Sequence, residues 1–192
     1  MIALVVVLAA LPIELELAGG AAFSREFEEP PPAPCLKVRA AVDLLDYLAI
    51  GASLLGVPGS EPQRRFCGSP CRGNASFKAI AGFASLRLHS TGDFQVFAEG
   101  GFGIGHLISL SSDDLFEDPP LRGRGGPAYV AGGGARLFVA RNVALGLELA
   151  WTRWTKVEQA AHQSGVGSLP AQTDRTASAL LLLFSINYSL SR

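Results

Sequence analysis

The chain has 192 residues, 48% of them hydrophobic, and its 17 acidic residues nearly balance its 16 Lys and Arg. That length suits one domain, and the net charge of −1, with no basic stripe, gives no reason to expect a nucleic-acid partner. The longest apolar run, Met1 to Leu11, is far shorter than the roughly 20 residues of a membrane-spanning helix. The 22 glycines fall largely inside strand-like segments, where small barrels use them at bends and crowded inner positions.

Residues 1–12 are interpreted as the remnant of a signal peptide, because an apolar core ends in small residues. The basic region that precedes such a core is missing, so an apolar extension of the first strand is the alternative. Residues 13–192 form the second region, and they carry a repeated pattern.

That pattern is an alternation with a period of two, which is typical of strands because successive side chains point to opposite faces. In Asn142–Trp151, apolar residues alternate with small residues and Glu148. An apolar face opposite a charged one suits a strand between lipid and a polar lumen. Eight strands are predicted: Ile13–Ser24, Leu36–Leu44, Leu48–Val57, Phe77–His89, Phe94–Leu110, Ala128–Val139, Val143–Lys156 and Thr176–Ser191.

Short and long connections alternate strictly between these strands. The short ones lie around Asp46, Gly92 and Arg141, and the long ones cover 25–35, 58–76, 111–127 and 158–175. Outer-membrane barrels show this asymmetry, with short periplasmic turns and long extracellular loops. The predicted fold is therefore all-β, an eight-stranded antiparallel up-and-down transmembrane β-barrel with both termini on the periplasmic side.

Aromatic residues are predicted at both ends of the apolar band, as expected at the two membrane–water interfaces. Tyr47, Phe94 and Tyr188 lie near the short turns. Phe23, Tyr129, Trp151 and Trp154 lie near the long loops.

Nine charged residues fall on the face opposite the apolar one, and they are Glu14, Glu16, Lys37, Arg39, Asp43, Arg87, Glu99, Arg136 and Glu148. An eight-stranded barrel has an interior that side chains can fill, and buried charges must be paired. We therefore predict a plug of ion pairs, with a water-filled pore as the alternative. In the simplest register of the hairpin at Arg141, Val139 pairs with Val143. Gly134 then lies opposite Glu148, and Arg136 lies diagonal to Glu148.

With its turn-and-strand Ala140–Gly146 and its final strand Leu182–Leu190, the chain resembles the small eight-stranded outer-membrane barrels, including the transmembrane domain of outer-membrane protein A. The resemblance covers residues 13–192. It implies insertion by the barrel-assembly machinery, which reads a last strand that usually ends in an aromatic residue. This chain ends in Leu190, Ser191 and Arg192, so Tyr188 is the nearest substitute.

No catalytic, cofactor-binding or metal-binding residues are predicted. His106 and Ser109 fall on opposite strand faces, which disfavours a nucleophile–base pair, while His89 and His162 are placed in a turn and a loop. The glycines of 100–105 and 132–134 lie within strands, so they are interpreted as small-residue packing and not as a phosphate-binding loop.

The loops supply the remaining predictions. Cys67 and Cys71 are separated by three residues in the second loop, where a disulfide is favoured over a metal site because no nearby His supplies a ligand. Cys35 is predicted on the same side and is able to bridge to either of them. The charges of the loops are interpreted as ordinary solvated loop charge. The sharper hypothesis is that Arg64, Arg65 and Arg72 contact lipopolysaccharide phosphates, since Arg forks suit phosphate.

The sequence thus predicts a non-enzymatic protein of a Gram-negative outer membrane, with a structural or surface-interaction role and with outer-membrane lipid and lipopolysaccharide around it. Three alternatives stay open: a narrow pore for small solutes, a lipid-modifying outer-membrane enzyme, and a soluble lipocalin-like carrier. The last reverses the faces and places Glu99, Arg136 and Glu148 in water.

Overall fold

The computed structural model describes residues 12–24, 32–58, 76–111, 121–123, 125–159, 162–164, 167–169 and 172–190. Eight long antiparallel strands form a closed barrel, each hydrogen-bonded to a neighbour on both sides. They are β1 (Ile13–Ser24), β2 (Ala33–Leu45), β3 (Leu48–Val57), β4 (Ser76–His89), β5 (Phe94–Ser111), β6 (Gly126–Ala140), β7 (Val143–Gln159) and β8 (Gln172–Ser189). The predicted fold class is confirmed.

The barrel closes where β8 pairs with β1, from Glu14 opposite Ser189 to Ser24 opposite Ala179. This seam gives every long strand two partners, so no barrel edge is left to pair with another chain. Among the described residues, no helix is long and apolar enough to cross a membrane.

The predicted strands match the observed ones closely, and the main differences lie at the ends. β8 begins at Gln172 and not at Thr176, and it stops at Ser189. At the β6–β7 turn Val143 pairs with Ala140 and not with Val139, because the register shifts between Phe138 and Ala140. Beyond that shift Gly134 lies opposite Glu148, as predicted.

Short strands lie within two of the long connections. Residues Leu121–Gly123 pair with β5 and β7, and Leu121 lies opposite both Leu110 and Gln159. His162–Ser164 and Gly167–Leu169 form a small hairpin of their own. We call the side with these connections the loop end of the barrel, and the side with the three short turns the turn end.

The outer face is an exposed aliphatic belt, as an outer-membrane barrel needs where its strands meet lipid. Ile104 is 74% exposed and Phe184 is 65% exposed. Tyr47, Phe94 and Tyr188 are exposed towards the turn end, and Phe23 and Tyr129 towards the loop end.

The predicted place of Trp154 in the outer aromatic belt is wrong. Its side chain is 1% exposed and lies inside the barrel, because Trp151 and Trp154 are three residues apart and so occupy opposite faces of β7. Gly105 and Ala128 leave room for the indole, since a Cβ placed on Gly105 would come within 2.6 Å of Trp154 Cδ1.

The interior has two halves. The apolar half lies towards the loop end and contains Leu55, Val57, Leu107, Trp154, Val157, Leu181 and Leu183, together with small residues. The half towards the turn end is lined by charged and polar side chains. The sequence predicted the charged half but not the apolar one.

Candidate functional site

Eight charged side chains meet inside the barrel, and we call them the charge cluster. They are Glu14, Glu16, Lys37, Arg39, Arg87, Glu99, Arg136 and Glu148. All are at most 5% exposed, and the four carboxylates balance the four cations. Six strands contribute these residues. Each side chain points into the barrel because alternate residues of a strand face the same side.

Arg87 is the most connected member of the cluster. Its Nη1 lies 2.7 Å from Glu16 Oε2 and 3.4 Å from Glu14 Oε1. It also forms a two-point contact with Glu99, through Nε at 2.8 Å and Nη2 at 2.6 Å. Its guanidinium carbon stands 4.2 Å from the centre of the Phe97 ring. Its Nη2 also lies 3.9 Å from Glu148 Oε2. This planar fork therefore faces four carboxylates and an aromatic ring at once, which a Lys cannot reproduce.

Lys37 spans the lumen from β2 to β7. Its Nζ donates to both carboxylate oxygens of Glu148, at 2.7 and 3.0 Å. The same ammonium lies 3.5 Å from Glu99 and 3.7 Å from Glu16. Because β2 and β7 are not neighbours in the sheet, this contact crosses the interior and does not run along the wall.

Arg136 and Arg39 complete the cluster around Glu14. Arg136 Nη1 lies 2.5 Å from Glu14 Oε1, and its Nε donates to Gln95 Oε1 at 2.7 Å. Arg136 therefore turns towards β1 and β5 and not to Glu148, its diagonal neighbour. Arg39 lies 3.5 Å from Glu14 and 3.4 Å from Glu99.

Inward-facing glycines make room for these side chains. A Cβ on Gly134 would stand 2.9 Å from Cζ of Phe97, the ring on which Arg87 stacks. A Cβ on Gly132 would stand 2.7 Å from that of Ala150. The geometry agrees with the interpretation of these glycines as packing positions in a crowded lumen.

Asp43 and His89 lie at the turn-end mouth of the barrel, outside the charge cluster. Asp43, predicted among the interior ion pairs, stands at the turn-end mouth with its side chain 24% exposed, 3.6 Å from His89. His89 ends β4, as the predicted strand Phe77–His89 has it, so it does not belong to the following turn, and it is only 9% exposed. The two line a recess of about 610 Å³ beneath the charge cluster.

Sequence reasoning also missed uncharged polar residues of the lumen. They are Ser53, Ser85, Gln95, Thr152, Ser185 and Asn187. All lie on the inward-facing side of the strand alternation, and that alternation is the sequence signal that identifies them.

Most of the loop predictions lie outside the described residues, namely those for Arg64, Arg65, Cys67, Cys71, Arg72 and His162's side chain. Cys35 is described: it is 5% exposed and points into the apolar half of the interior. His106 is exposed on the outer face of β5.

Comparison with known proteins places the fold. No protein-family model and no curated protein matches the chain. Among solved structures, the crystal structure of Neisserial surface protein A has a TM-score of 0.57 at 12% identity, over 93% of this chain and 96% of that one. OprG of Pseudomonas aeruginosa has a TM-score of 0.54 at 10% identity, over 95% of this chain and 96% of that one. Ail, the attachment invasion locus protein of Yersinia pestis, has a TM-score of 0.51 at 11% identity, over 94% of this chain and 97% of that one.

The fold is that of the small eight-stranded outer-membrane barrels. At these identities the likeness concerns the fold alone. The predicted outer-membrane localisation agrees with these neighbours and with the exposed aliphatic belt.

Proposed function

We propose that this chain is a non-enzymatic outer-membrane barrel with a structural or surface-interaction role, and that its interior is closed to solutes. The observation that carries the proposal is the filled lumen. Lys37 and Glu148 join across it, and Trp154, Leu181 and Leu183 fill it towards the loop end.

Two physical costs oppose a continuous water path. Separating the buried Lys37–Glu148 pair leaves each charge without its nearest partner, which is costly where the side chains are no more than 4% exposed. Above the cluster, a water column would have to displace packed apolar side chains. A lumen of eight strands has little spare width for either change.

A closed barrel displays its long loops on a rigid scaffold, and function commonly lies in such loops. Two of the similar structures carry names of this kind, a surface protein and an attachment invasion locus protein. Those names describe the neighbours, and they favour a surface role for this chain over a transport role.

Planar-bilayer conductance of the purified, folded protein tests closure. We expect no stable ohmic channel, while a general porin reconstituted in parallel conducts. Regular ohmic steps from the wild-type protein would overturn the closed-lumen proposal and favour the narrow pore. Steps seen with Arg87→Ala, but not with the outer-face variant Arg153→Ala, would identify the charge cluster as the barrier.

Enzyme activity has a separate test, which is the mass spectrum of lipid A from cells that express the protein. Under the proposal the spectrum stays unchanged. A new mass shift that depends on expression would favour the lipid-modifying enzyme.

We further propose that basic residues at the loop end contact lipopolysaccharide phosphates. Exposed Lys78, Arg153, Lys156 and Arg175 lie at this end. Arg153 Nη2 donates to Thr176 Oγ1 at 3.2 Å, and Arg153 lies opposite the exposed Tyr129. Arg forks suit phosphate, and Arg64, Arg65 and Arg72 remain proposed contacts of the same kind.

Retention of lipopolysaccharide through purification measures this contact. Arg153→Ala is expected to lower the retained amount, whereas Arg141→Ala, an exposed arginine at the turn end, is expected to leave it unchanged. Equal retention by both variants would remove Arg153 from the proposal.

Assembly is proposed to depend on Tyr188, which is 44% exposed near the end of β8. Tyr188→Ala is expected to lower the heat-modifiable fraction on SDS–PAGE of membranes more than Tyr129→Ala does. Equal fractions would count against a role of Tyr188 in recognition by the barrel-assembly machinery.

A further inference from the structure

One lysine of β7 has a backbone conformation that residues with a side chain rarely adopt. Lys156 has a φ of 57°, and it is the one non-glycine residue with a positive φ among the described residues. This left-handed conformation is unfavourable for a residue with a Cβ atom, and it persists where the surrounding structure enforces it, commonly at functional positions. Lys156 is therefore a candidate for a role beyond packing.

The strain belongs to a β-bulge between β7 and β8, in which two residues of one strand oppose one residue of the other. The two residues on β7 are Thr155 and Lys156, and the one on β8 is Thr176. Trp154 and Val157 flank the bulge and are both buried inside the barrel, although they are three residues apart. The bulge therefore shifts the alternation by one residue. It leaves Lys156 exposed, where simple alternation would bury it in the apolar half of the interior.

Contacts from β6 hold this bulge in place. Thr155 Oγ1 donates to the carbonyl oxygen of Pro127 at 2.8 Å. Gly126 allows β6 to approach, since a Cβ at that position would stand 3.0 Å from the Thr155 carbonyl oxygen and 3.1 Å from Lys156 Cβ. The strained backbone is thus supported from both neighbouring strands, and the outward direction of Lys156 is part of the fold.

The bulge places the Lys156 ammonium on the same outer face as the Arg153 guanidinium. Arg153 Nη2 donates to Thr176 Oγ1 at 3.2 Å, and Thr176 is the residue that faces the bulge. A guanidinium has five N–H donors, so this bond leaves the fork able to bind a further acceptor. Neither cation forms an ion pair with a carboxylate of the described residues. Two positive charges therefore lie together without a neutralising partner from that part of the chain.

These cations lie at the loop-end boundary of the aliphatic belt. Leu149 and Trp151 precede Arg153 on the outer face of β7. Tyr129, opposite Arg153 on β6, is 42% exposed, as expected of an aromatic ring at a membrane–water interface. Phosphate groups of outer-leaflet lipids lie at this depth. A phosphomonoester carries a charge of about −1.5 to −2 at pH 7, so it matches two cations better than a singly charged phosphodiester does.

We propose that Arg153 and Lys156 form a binding site for one phosphomonoester group of an outer-leaflet lipid, and that the bulge serves to place Lys156 in it. The inference rests on the proposed contact of loop-end basic residues with lipopolysaccharide, and it adds the pair of residues and the class of phosphate. Arg153 supplies a planar fork and Lys156 a compact point charge. Thr176 is a positioning residue that orients the fork.

Trp151 provides a local measurement of the lipid at this site. It lies two residues from Arg153 on the same outer face, whereas the other tryptophan, Trp154, is buried inside the barrel. The folded full-length protein is reconstituted in phosphatidylcholine bilayers that contain phosphatidic acid with brominated acyl chains, which quench an indole that they touch. We expect quenching to show a preference for phosphatidic acid, a phosphomonoester lipid, over brominated phosphatidylglycerol, a phosphodiester lipid.

Substitutions at the bulge separate the charge of Lys156 from its backbone. Lys156→Gly removes the ammonium and keeps the bulge, because glycine accepts a positive φ without strain. We expect Lys156→Gly and Arg153→Gln each to lower the preference by up to about fivefold, and Lys156→Arg to retain it. Arg141→Gln, which removes an exposed arginine at the turn end, is the control and should also retain it. Heat-modifiability on SDS–PAGE verifies that each variant is folded.

An unchanged preference in Lys156→Gly would overturn the proposal, because the bulge would then place no ligand. Equal quenching by phosphatidic acid and phosphatidylglycerol would also overturn it, since the site would respond to negative charge alone. Retention of lipopolysaccharide through purification tests the broader contact separately. Reduced retention by Arg153→Ala, with no preference for phosphatidic acid at Trp151, would reject this site and leave that contact standing.

Discussion

The two halves of the barrel interior are filled by opposite kinds of side chain. Towards the loop end, Leu55, Trp154 and Leu181 pack as an ordinary apolar core. Towards the turn end, the charge cluster fills the interior with four acids and four bases. An apolar side chain contributes mainly by its own burial, whereas a buried charge is tolerated only while its partners are in place. The halves should therefore respond differently to single and paired substitutions.

The largest effect is expected from removing the most connected charge. Arg87→Ala leaves Glu16 and Glu99 without their shortest contacts, and removing one partner of a buried pair costs about 3–5 kcal/mol. Urea unfolding in lipid vesicles measures the loss. Arg153→Ala, an exposed arginine on β7, is the matched control and should cost about 0.5 kcal/mol or less. Similar losses in both variants would contradict the central position given to Arg87.

The apolar half can be probed with two adjacent leucines. Leu181 is 1% exposed inside the barrel, and Leu182 is 36% exposed on the outer face. We expect Leu181→Ala to lower the free energy of unfolding by about 2–5 kcal/mol, because it leaves a cavity. Leu182→Ala should cost less, since lipid chains can fill the space it vacates. The reverse order would contradict the inward parity assigned to β8.

An intermediate loss of stability is expected from a substitution at Gly134, a glycine of the barrel wall beside the charge cluster. Gly134→Ala would place a methyl group against the backbone carbonyl oxygen of Leu147 on β7 and 2.9 Å from Cζ of Phe97, the ring beneath the Arg87 guanidinium. Overpacking of this kind costs about 1–3 kcal/mol. Gly100→Ala, on the same barrel but with open space around its Cβ position, is the control. Equal stability of the two variants would contradict the close approach of the β7 backbone and Phe97 to this position.

The smallest effect is expected when both partners are removed together. Lys37→Met combined with Glu148→Leu leaves three acids facing three bases, so the cluster stays balanced. Replacing a buried pair by apolar residues of similar size is often neutral. A double-mutant cycle should give a loss for the double variant that is smaller than for either single variant. Additive losses would mean that the two side chains act independently.

The strands and their inward faces were predictable because a period of two is a local property. Glu148 and Leu149 are neighbours in sequence, and their opposite burial follows from alternation alone. The same reasoning would have placed Trp154 inside. Its distance from the short turn alone predicts the outer belt, but its parity along β7 decides its face.

The partners inside the lumen were not predictable from the sequence. Lys37 and Glu148 are 111 residues apart and sit on strands that are not neighbours, so no cross-strand register relates them. The pairing of Asp43 with His89 likewise depends on the positions where β2 and β4 end at the mouth. Alternation specifies the face of a residue, but the depth and direction of a long side chain come from the curvature of the closed barrel.

The charge cluster also links chain closure to charge neutralisation. Glu14 and Glu16 enter on β1, yet their shortest contacts are with Arg136 on β6 and Arg87 on β4. Those contacts cannot form while the sheet is still open, since β1 reaches these strands only across the lumen. In a half-curled sheet, these acids and bases would face solvent or lipid without their ion-pair partners. We therefore expect the seam between β1 and β8 to close together with the neutralisation of the interior, which would disfavour partly closed intermediates.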